Sequence, residues 1–495
     1  MQEQYPFTRR DFLKGMGLTS LAIATGACES CYNKIKDRPT RRNIANLAGN
    51  DPIIQTYKDA VNAMKNLPAG DGRNWTKQAE IHNNHCVHGN WWFLPWHRAY
   101  LFYFEAICRK LTGNNDFALP YWNWITTPSI PAPFWGNGNP LFDSNRFATQ
   151  ASTVSSSVCG ASNINNNVLS QTNFLLFASA QATTQQQNAG YGALEGGPHN
   201  YVHGFVGGDM GTYMSPLDPV FWCHHNMIEC LWVDWNINKG NANTNDSAWS
   251  GFTFNDFVDA DGNPVPIQVA TTLLMPILSY QFEPCAPNAV ATTKDKATLE
   301  RFLREGAPHK LDFARRFELR QSLSLSVGKA AAARLKVEPE ALRRVLDTNA
   351  REKAVLTIDE VQVPPKQDVF VRVFVNKPDA SAATPIEDPH YAGSFAFFCC
   401  EVPSHHEGAA TPTPAASPTP AASPRPAASP SPAAAAGQKL RYLVDATATV
   451  RRLSQAGSLP TDVDISLVVV PIEDQRRIET QTLTLGRVEL ATAAF

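Results

Sequence analysis

Eight of the twelve histidines lie between His82 and His225, in two short windows. The first window runs from Glu80 to Arg98 and holds His82, His85, His88 and His97. The second holds His199 and His203, then His224 and His225. His199 and His203 are four apart, so on a helix both imidazoles project from one face and can grip one metal. His225 follows Asp218-Pro219 on a further helix and can supply a third ligand. The first window offers the same: His97 at the start of an aromatic helix, His88 nine residues earlier, and His82 or His85 before that. Three neutral imidazoles with an open position suit copper, zinc, iron or nickel. Two such sets on facing helices, with no carboxylate ligand, would make a dinuclear centre in a bundle core. Histidine pairs often just face solvent, and His405-His406 read that way. The eight are embedded in Trp, Phe and Pro instead. Buried imidazoles need partners for both nitrogens. A metal serves one nitrogen and a neighbouring acceptor the other.

Helices must hold these side chains. Asp51–Asn66 and Arg98–Leu111 carry apolar residues at three- and four-residue spacing, which predicts helices. Asp218-Pro219 reads as N-cap and first helical position for Val220–Trp235. Gly136–Gly190, rich in Asn, Ser, Gln and Thr, reads as loops. Ala297–Glu352 is charged and reads as a connector, helical at its ends. The composition then changes. Val369–Val375, Gly393–Cys399, Leu440–Val450, Val463–Val470 and Thr480–Leu490 are β-branched and aromatic. They predict a small all-β domain, a sandwich. Thr411–Pro432 repeats Pro-Ala-Ala-Ser-Pro and cannot bury a core, so 408–438 reads as a disordered loop of that domain. The expected division is a signal at 1–30, a helical domain at 43–290, a connector at 291–360 and a β-domain at 361–495.

The chain has 495 residues, enough for two or three domains. It is 43% hydrophobic with 11 Trp, 26 Phe and 12 Tyr, which excludes disorder as the dominant state. The 43 Lys and Arg against 45 Asp and Glu leave no basic excess for nucleic acid or an anionic membrane. No apolar run reaches the roughly 18–20 residues of a membrane-spanning helix. Thr8-Arg9-Arg10-Asp11-Phe12-Leu13-Lys14 precedes the mildly apolar stretch Gly15–Ala27. This is the order of a twin-arginine signal, so export to the periplasm or beyond is expected. Thr25 stands where a lipoprotein signal prefers Leu, against a lipid on Cys28. Export permits disulfides. Cys28 and Cys31 are candidates to pair with each other or with Cys86, Cys108 or Cys159.

His88 to Arg98 resembles the copper A signature of tyrosinases, catechol oxidases and molluscan haemocyanins: His, eight residues, then His-Arg after Phe-x-Pro-Trp. Glu195–His203 and Asp218–His225 resemble the copper B signature. The β-domain resembles the C-terminal domain of plant polyphenol oxidases in Phe374-Val375-Asn376 and Tyr391–Phe395. The resemblance implies a mainly α four-helix bundle with two copper ions, capped by the all-β sandwich. Copper A would take His82, His88 and His97. Gln78–His82 is similar to the family segment ending in the first ligand, which favours His82 over His85. Copper B would take His199, His203 and His225, with His224 beside it. Glu229-Cys230 stands where the family has Asp-Arg, which removes an expected salt bridge.

The implied activity is O2-dependent oxidation of small phenols to o-quinones. Glu195 and Asn200 would hold a water that takes the phenol proton; Glu195 also reads as a helix cap. Gly204 and Tyr213 would shape the substrate gate, with Met214 beside them. Cys86 precedes His88 by two, the spacing that carries a Cys–His thioether in fungal and molluscan relatives. The β-domain would keep the enzyme latent through a plug near Phe395–Phe398, released by cleavage in the connector. The rival readings are a catechol or o-aminophenol oxidase without hydroxylation, and an O2 carrier like haemocyanin. The export signal, the single domain copy and the small Gly204 argue against a carrier.

Overall fold

The computed structural model describes residues 38–287, 306–307, 309–347, 352–364, 368–398, 439–457, 462–472 and 482–494. The twin-arginine segment, Cys28, Cys31, His405-His406 and the Pro/Ala-rich loop lie outside them.

Five helices frame the histidine windows: α1 (Pro52–Asn66), α2 (Trp75–His85), α3 (Phe93–Thr112), α4 (Asn200–Val206) and α5 (Val220–Val233). Each starts where the chain supplies a reason. Asp51 accepts from the Ile53 N–H, and Pro52 takes the first helical position of α1. Asn74 caps α2 through the Thr76 N–H. The Asp218 carboxylate accepts from the Val220 N–H at 2.9 Å and so opens α5 as expected. Gly113, at φ 72°, ends α3 in the left-handed conformation. Every residue of α5 is buried, so it is the central helix. The apolar residues of α1, α3 and α5 share one core, where Phe104 stacks on Trp222 with centroids 3.5 Å apart.

Buried charges tie the helices together. Arg98, next to His97, reaches the Glu229 carboxylate at 2.9 Å and stacks over Trp232 at 3.4 Å. The Tyr280 hydroxyl donates to the same carboxylate at 2.7 Å. The salt bridge expected to be missing at 229–230 is therefore present with a different partner. Cys230 serves another purpose: it forms a disulfide with Cys285. Cys108 and Cys159 lie buried outside that disulfide.

The second unit is a pair of four-stranded antiparallel sheets. The strands are β1 (Asp312–Leu319), β2 (Leu323–Ser326), β3 (Ala331–Lys336), β4 (Glu352–Gln362), β5 (Val369–Val375), β6 (Tyr391–Ala396), β7 (Lys439–Asp445), β8 (Asp462–Pro471), β9 (Thr482–Leu485) and β10 (Arg487–Ala494). One sheet runs β7-β4-β10-β1 and the other β6-β5-β8-β3, with β9 and β2 as a separate pair. Their inner faces share one core containing Leu356, Ile358, Val371, Val373, Ile465 and Leu490. Two expectations are corrected here. The stretch 291–360 is not a connector where it is described. Its residues from Asp312 onward supply β1, β2, β3 and most of β4. Leu440–Val450 is a strand only to Asp445, and Thr447–Gln455 is a helix.

The units meet along a strand edge. The Tyr191 N–H donates to Arg441 O and the Leu443 N–H donates to Tyr191 O, both at 2.9 Å. The Tyr191 and Tyr442 rings stack with centroids 5.1 Å apart. This edge places the end of β6 over the histidines.

Candidate metal centre

Of the six expected ligands, His82 lies on α2, His97 on α3, His203 on α4 and His225 on α5. His88 sits in the loop between α2 and α3, and His199 ends a π-helical turn, Glu195–His199, that leads into α4. All six are buried. His82 Nε2 lies 3.5 Å from both His88 Nε2 and His97 Nε2. His203 Nε2 lies 3.1 Å from His225 Nε2. Ring nitrogens of His199, His203, His224 and His225 all fall within 4.8 Å of one another, and so do those of His82, His97 and His225.

The other ring nitrogens fix the tautomers. Nδ1–H of His82 donates to Tyr213 O at 2.7 Å, and that of His97 to Phe93 O at 2.9 Å. His203 donates to Met210 O at 2.7 Å. His88 Nδ1 meets Glu195 Oε1 at 3.1 Å, and His199 Nδ1 meets Asn200 Oδ1 at 2.9 Å. A proton on Nδ1 leaves a bare lone pair on Nε2. Those lone pairs point at one another, and His199 Nε2 has no hydrogen-bond partner at all. Converging lone pairs in a buried space repel unless a cation lies between them. The donor set thus fits metal ions held among these buried rings, with His225 within reach of both His82 and His97 on one side and His199 and His203 on the other. His85 is not part of it: it is half exposed and faces Asp256 at 3.6 Å. Both ring nitrogens of buried His224 lack a hydrogen-bond partner, and its ring stacks on His199 at 5.5 Å.

Glu195 is fully buried and does not cap a helix. Its Oε1 accepts from the Gly89 N–H at 2.8 Å as well as from His88, and its Oε2 accepts from the Ser179 hydroxyl. The carboxylate therefore orients His88, as carboxylates behind metal-bound histidines do. Burial holds its pKa well above the usual 4.5, against the lowering effect of those donors. Asn200 accepts from His199 and donates through Nδ2 to Ala396 O, on β6, at 3.1 Å. The Tyr213 ring stacks on His88 at 5.6 Å. Gly204 follows His203 on α4 and is buried. Cys86 Sγ lies within 4.8 Å of ring nitrogens of His82 and His88.

Phe398 occupies the space in front of the histidines. Its ring stacks on His203 with centroids 3.9 Å apart, and lies 5.0 Å from His88, 5.7 Å from His199 and 5.5 Å from Tyr213. It is completely buried. The sequence pointed to the run Phe395–Phe398 without choosing within it. The choice needs the register of β6, which turns Phe395 into the sandwich core and lets Phe398 leave it.

A helical bundle with converging buried histidines, covered by a β-sandwich, defines the class: a metalloprotein whose centre is built of imidazoles. Comparison with known proteins narrows this. The model of the common central domain of tyrosinase matches residues 72–150 and 135–238, and that of the chloroplastic polyphenol oxidase C-terminal domain matches 326–414. Polyphenol oxidase II, chloroplastic, of Ipomoea batatas is 29% identical over 408 residues, 72% of this chain and 66% of that one. Tyrosinase HcTyr1 of Hahella sp. (strain CCB-MM4) is 32% identical over 308 residues, 51% of this chain and 65% of that one. The matches thus span just under two thirds of these relatives. The solved structure of latent apple tyrosinase shares the fold at a TM-score of 0.63, with 20% identity, covering 92% of this chain and 97% of that one. The chain belongs to the tyrosinase and polyphenol oxidase family, whose cofactor is a pair of copper ions.

The twin-arginine export expected from Thr8–Lys14 is corrected by the same comparison. The relatives from Ipomoea batatas, Malus domestica and Spinacia oleracea are chloroplastic, which points to plastid targeting instead, although the Hahella match is bacterial. No helix among the described residues is long and apolar enough to cross a membrane.

Burial sets the pH response of the metal-free protein. It lowers the pKa of His82 and His199 from 6.5 to about 3 and drives those of His88, His97, His203, His224 and His225 well below 6.5. Unfolded histidines take protons near pH 6.5, while in the folded chain His82 and His199 stay neutral to about pH 3 and the other five stay neutral well below 6.5. The unfolded state therefore binds more protons in that window, and stability falls as pH drops through it. Glu195, with a raised pKa, opposes this, but it is one group against seven. The thermal midpoint of the metal-free protein should fall steadily as the pH drops below 6.5. A flat profile from pH 7 to ~4 would show that these imidazoles are not buried and neutral.

Proposed function

We propose that the chain is a copper-dependent phenol oxidase that uses O2 to turn monophenols into o-diphenols and o-diphenols into o-quinones, held latent by its β-domain. The observation that carries this is the Phe398 ring packed on His203 in front of both triads. The names of the matched relatives support the chemistry, and the fold shared with the latent apple tyrosinase supports latency.

The copper pair, when bound, supplies the two-electron chemistry with O2. His82, His88 and His97 would hold one ion, and His199, His203 and His225 the other. Glu195 and Tyr213 O orient the first triad, and Asn200 and Met210 O the second. Tyr213 and Gly204 form the gate. A phenol is a weak acid with a pKa near ~10, so an acceptor must take its proton at neutral pH. Glu195 and Asn200 would position a water for that task. In the docked state the Asn200 amide is bound to Ala396 O, so withdrawal of β6 opens the mouth and frees this amide together. A diphenol oxidase without hydroxylation is the second reading. It is favoured by Glu195, whose two oxygens already have three donors.

Cys86 is proposed to join His88 through a thioether. A C–S bond would replace an S–H and a ring C–H, and O2 at the copper site would accept the two electrons and two protons. After reduction and alkylation, the copper-loaded protein should yield a cross-linked Cys86–His88 peptide lacking two hydrogens. An alkylated Cys86 without that deficit refutes the bond.

Replacing Phe398 with Ala in the full chain should raise diphenol turnover, followed as O2 uptake per copper, about tenfold, equivalent to ~1.4 kcal/mol of relieved occlusion. Unchanged turnover at full copper loading would remove the plug, and with it the proposed latency. Monophenol turnover in the same variant separates the two readings: its absence beside fast diphenol oxidation favours the second.

A further inference from the structure

One short loop, Gly207–Ser215, carries both backbone carbonyls that orient a histidine of each triad. Met210 O receives His203 Nδ1–H and Tyr213 O receives His82 Nδ1–H, both at 2.7 Å. The two acceptors are three residues apart, while the two histidines sit on different helices. We propose that this loop is a common support for the two metal sites, and that Thr212, between the two carbonyls, is its positioning residue. The proposal rests on the ligand assignment above.

Thr212 touches neither triad, yet it fixes the backbone on both sides of itself. Its hydroxyl donates to Asp209 O at 3.0 Å and accepts from the Met214 N–H at 3.1 Å. Its N–H donates to Asp209 O, and its carbonyl accepts from the Ser215 N–H, both at 3.0 Å. These bonds hold the turn Gly208–Gly211, which contains Met210, to the turn Ser215–Leu217 that follows Tyr213.

The loop is also clamped from outside. Gly207 and Gly208 lie at φ 63° and 61°, and a Cβ on Gly208 would fall 1.9 Å from Asn145 O. The Phe147 N–H donates to Val206 O at 2.8 Å, and the Asn145 amide donates to Asp209 at 3.1 Å. A rigid loop seated this way fixes His82 and His203 relative to each other. If it slackens, both imidazoles lose their orientation together, so both metal sites weaken together.

The test is copper titration of the full-length metal-free chain, with bound metal measured directly. Thr212→Val keeps the shape and removes the hydroxyl; Thr212→Ser restores it. Thr212→Val should weaken both copper equivalents by roughly tenfold while the thermal midpoint of the metal-free protein stays unchanged, and Thr212→Ser should bind as the parent does. Asn145→Ala, an exposed change at the outer clamp, should shift both equivalents in the same direction and decides the matter if Thr212→Val does not fold. Two tight coppers in these variants, or one tight copper retained and one lost, would overturn the common support. His82→Ala and His203→Ala, titrated alongside, isolate the other failure: if both keep two tight coppers, the ligand assignment is wrong.

Discussion

Seven imidazoles buried in one space are held neutral, and the direction in which a neutral imidazole offers its lone pair is set by what its other nitrogen binds. That constraint orders the rest of the structure. Five Nδ1 positions are taken by Phe93 O, Met210 O, Tyr213 O, Glu195 and Asn200, which come from three separate stretches of chain. The helices bring the rings together, but these acceptors turn them. Without them the Nε2 lone pairs would not converge. With them, the gathered lone pairs make a region of negative potential that a pair of cations relieves.

The same demand explains the buried ions around the site. Arg98 follows His97 on the helix, so its buried ion pair anchors the backbone next to a proposed ligand. Its carboxylate partner Glu229 is held by Tyr280, and the next residue, Cys230, is fastened to Cys285. Removing one member of such a buried pair strands a charge, typically at about 3–5 kcal/mol. The β-sandwich docks by a strand edge at Tyr191, and its contacts at the site are a ring on His203 and a carbonyl on Asn200. Interdomain contacts of this kind can separate without unfolding either partner.

Much of this was legible in the sequence. The two histidine windows and their aromatic setting were visible in the sequence, and the four-residue spacing of His199 and His203 put both rings on one side of the chain, while the grouping into two triads came from the family resemblance. His82 and His85 lie in the last turn of one helix, and local pattern gives no physical reason to choose between them. The choice comes from Tyr213, whose carbonyl is far along the chain. The charged stretch before residue 360 looked like a connector because Asp312–Leu319 alternates exposed charged and partly buried apolar residues on a sheet with one wet face. Its strand character depends on β10 alongside it. The Cys230–Cys285 bond and the Arg98–Glu229 pair were likewise invisible, since each joins segments that only the tertiary fold brings together.

Two converging triads beneath Phe398 are the centre on which the proposed chemistry depends. Copper-edge anomalous diffraction from crystals of the copper-loaded full-length chain tests them most directly. Two copper peaks are predicted, one among Nε2 of His82, His88 and His97, the other among Nε2 of His199, His203 and His225, with the Phe398 ring beside them. A single peak, coordination by His85 in place of His82, or a ligand role for His224 in place of one of the six would contradict this assignment.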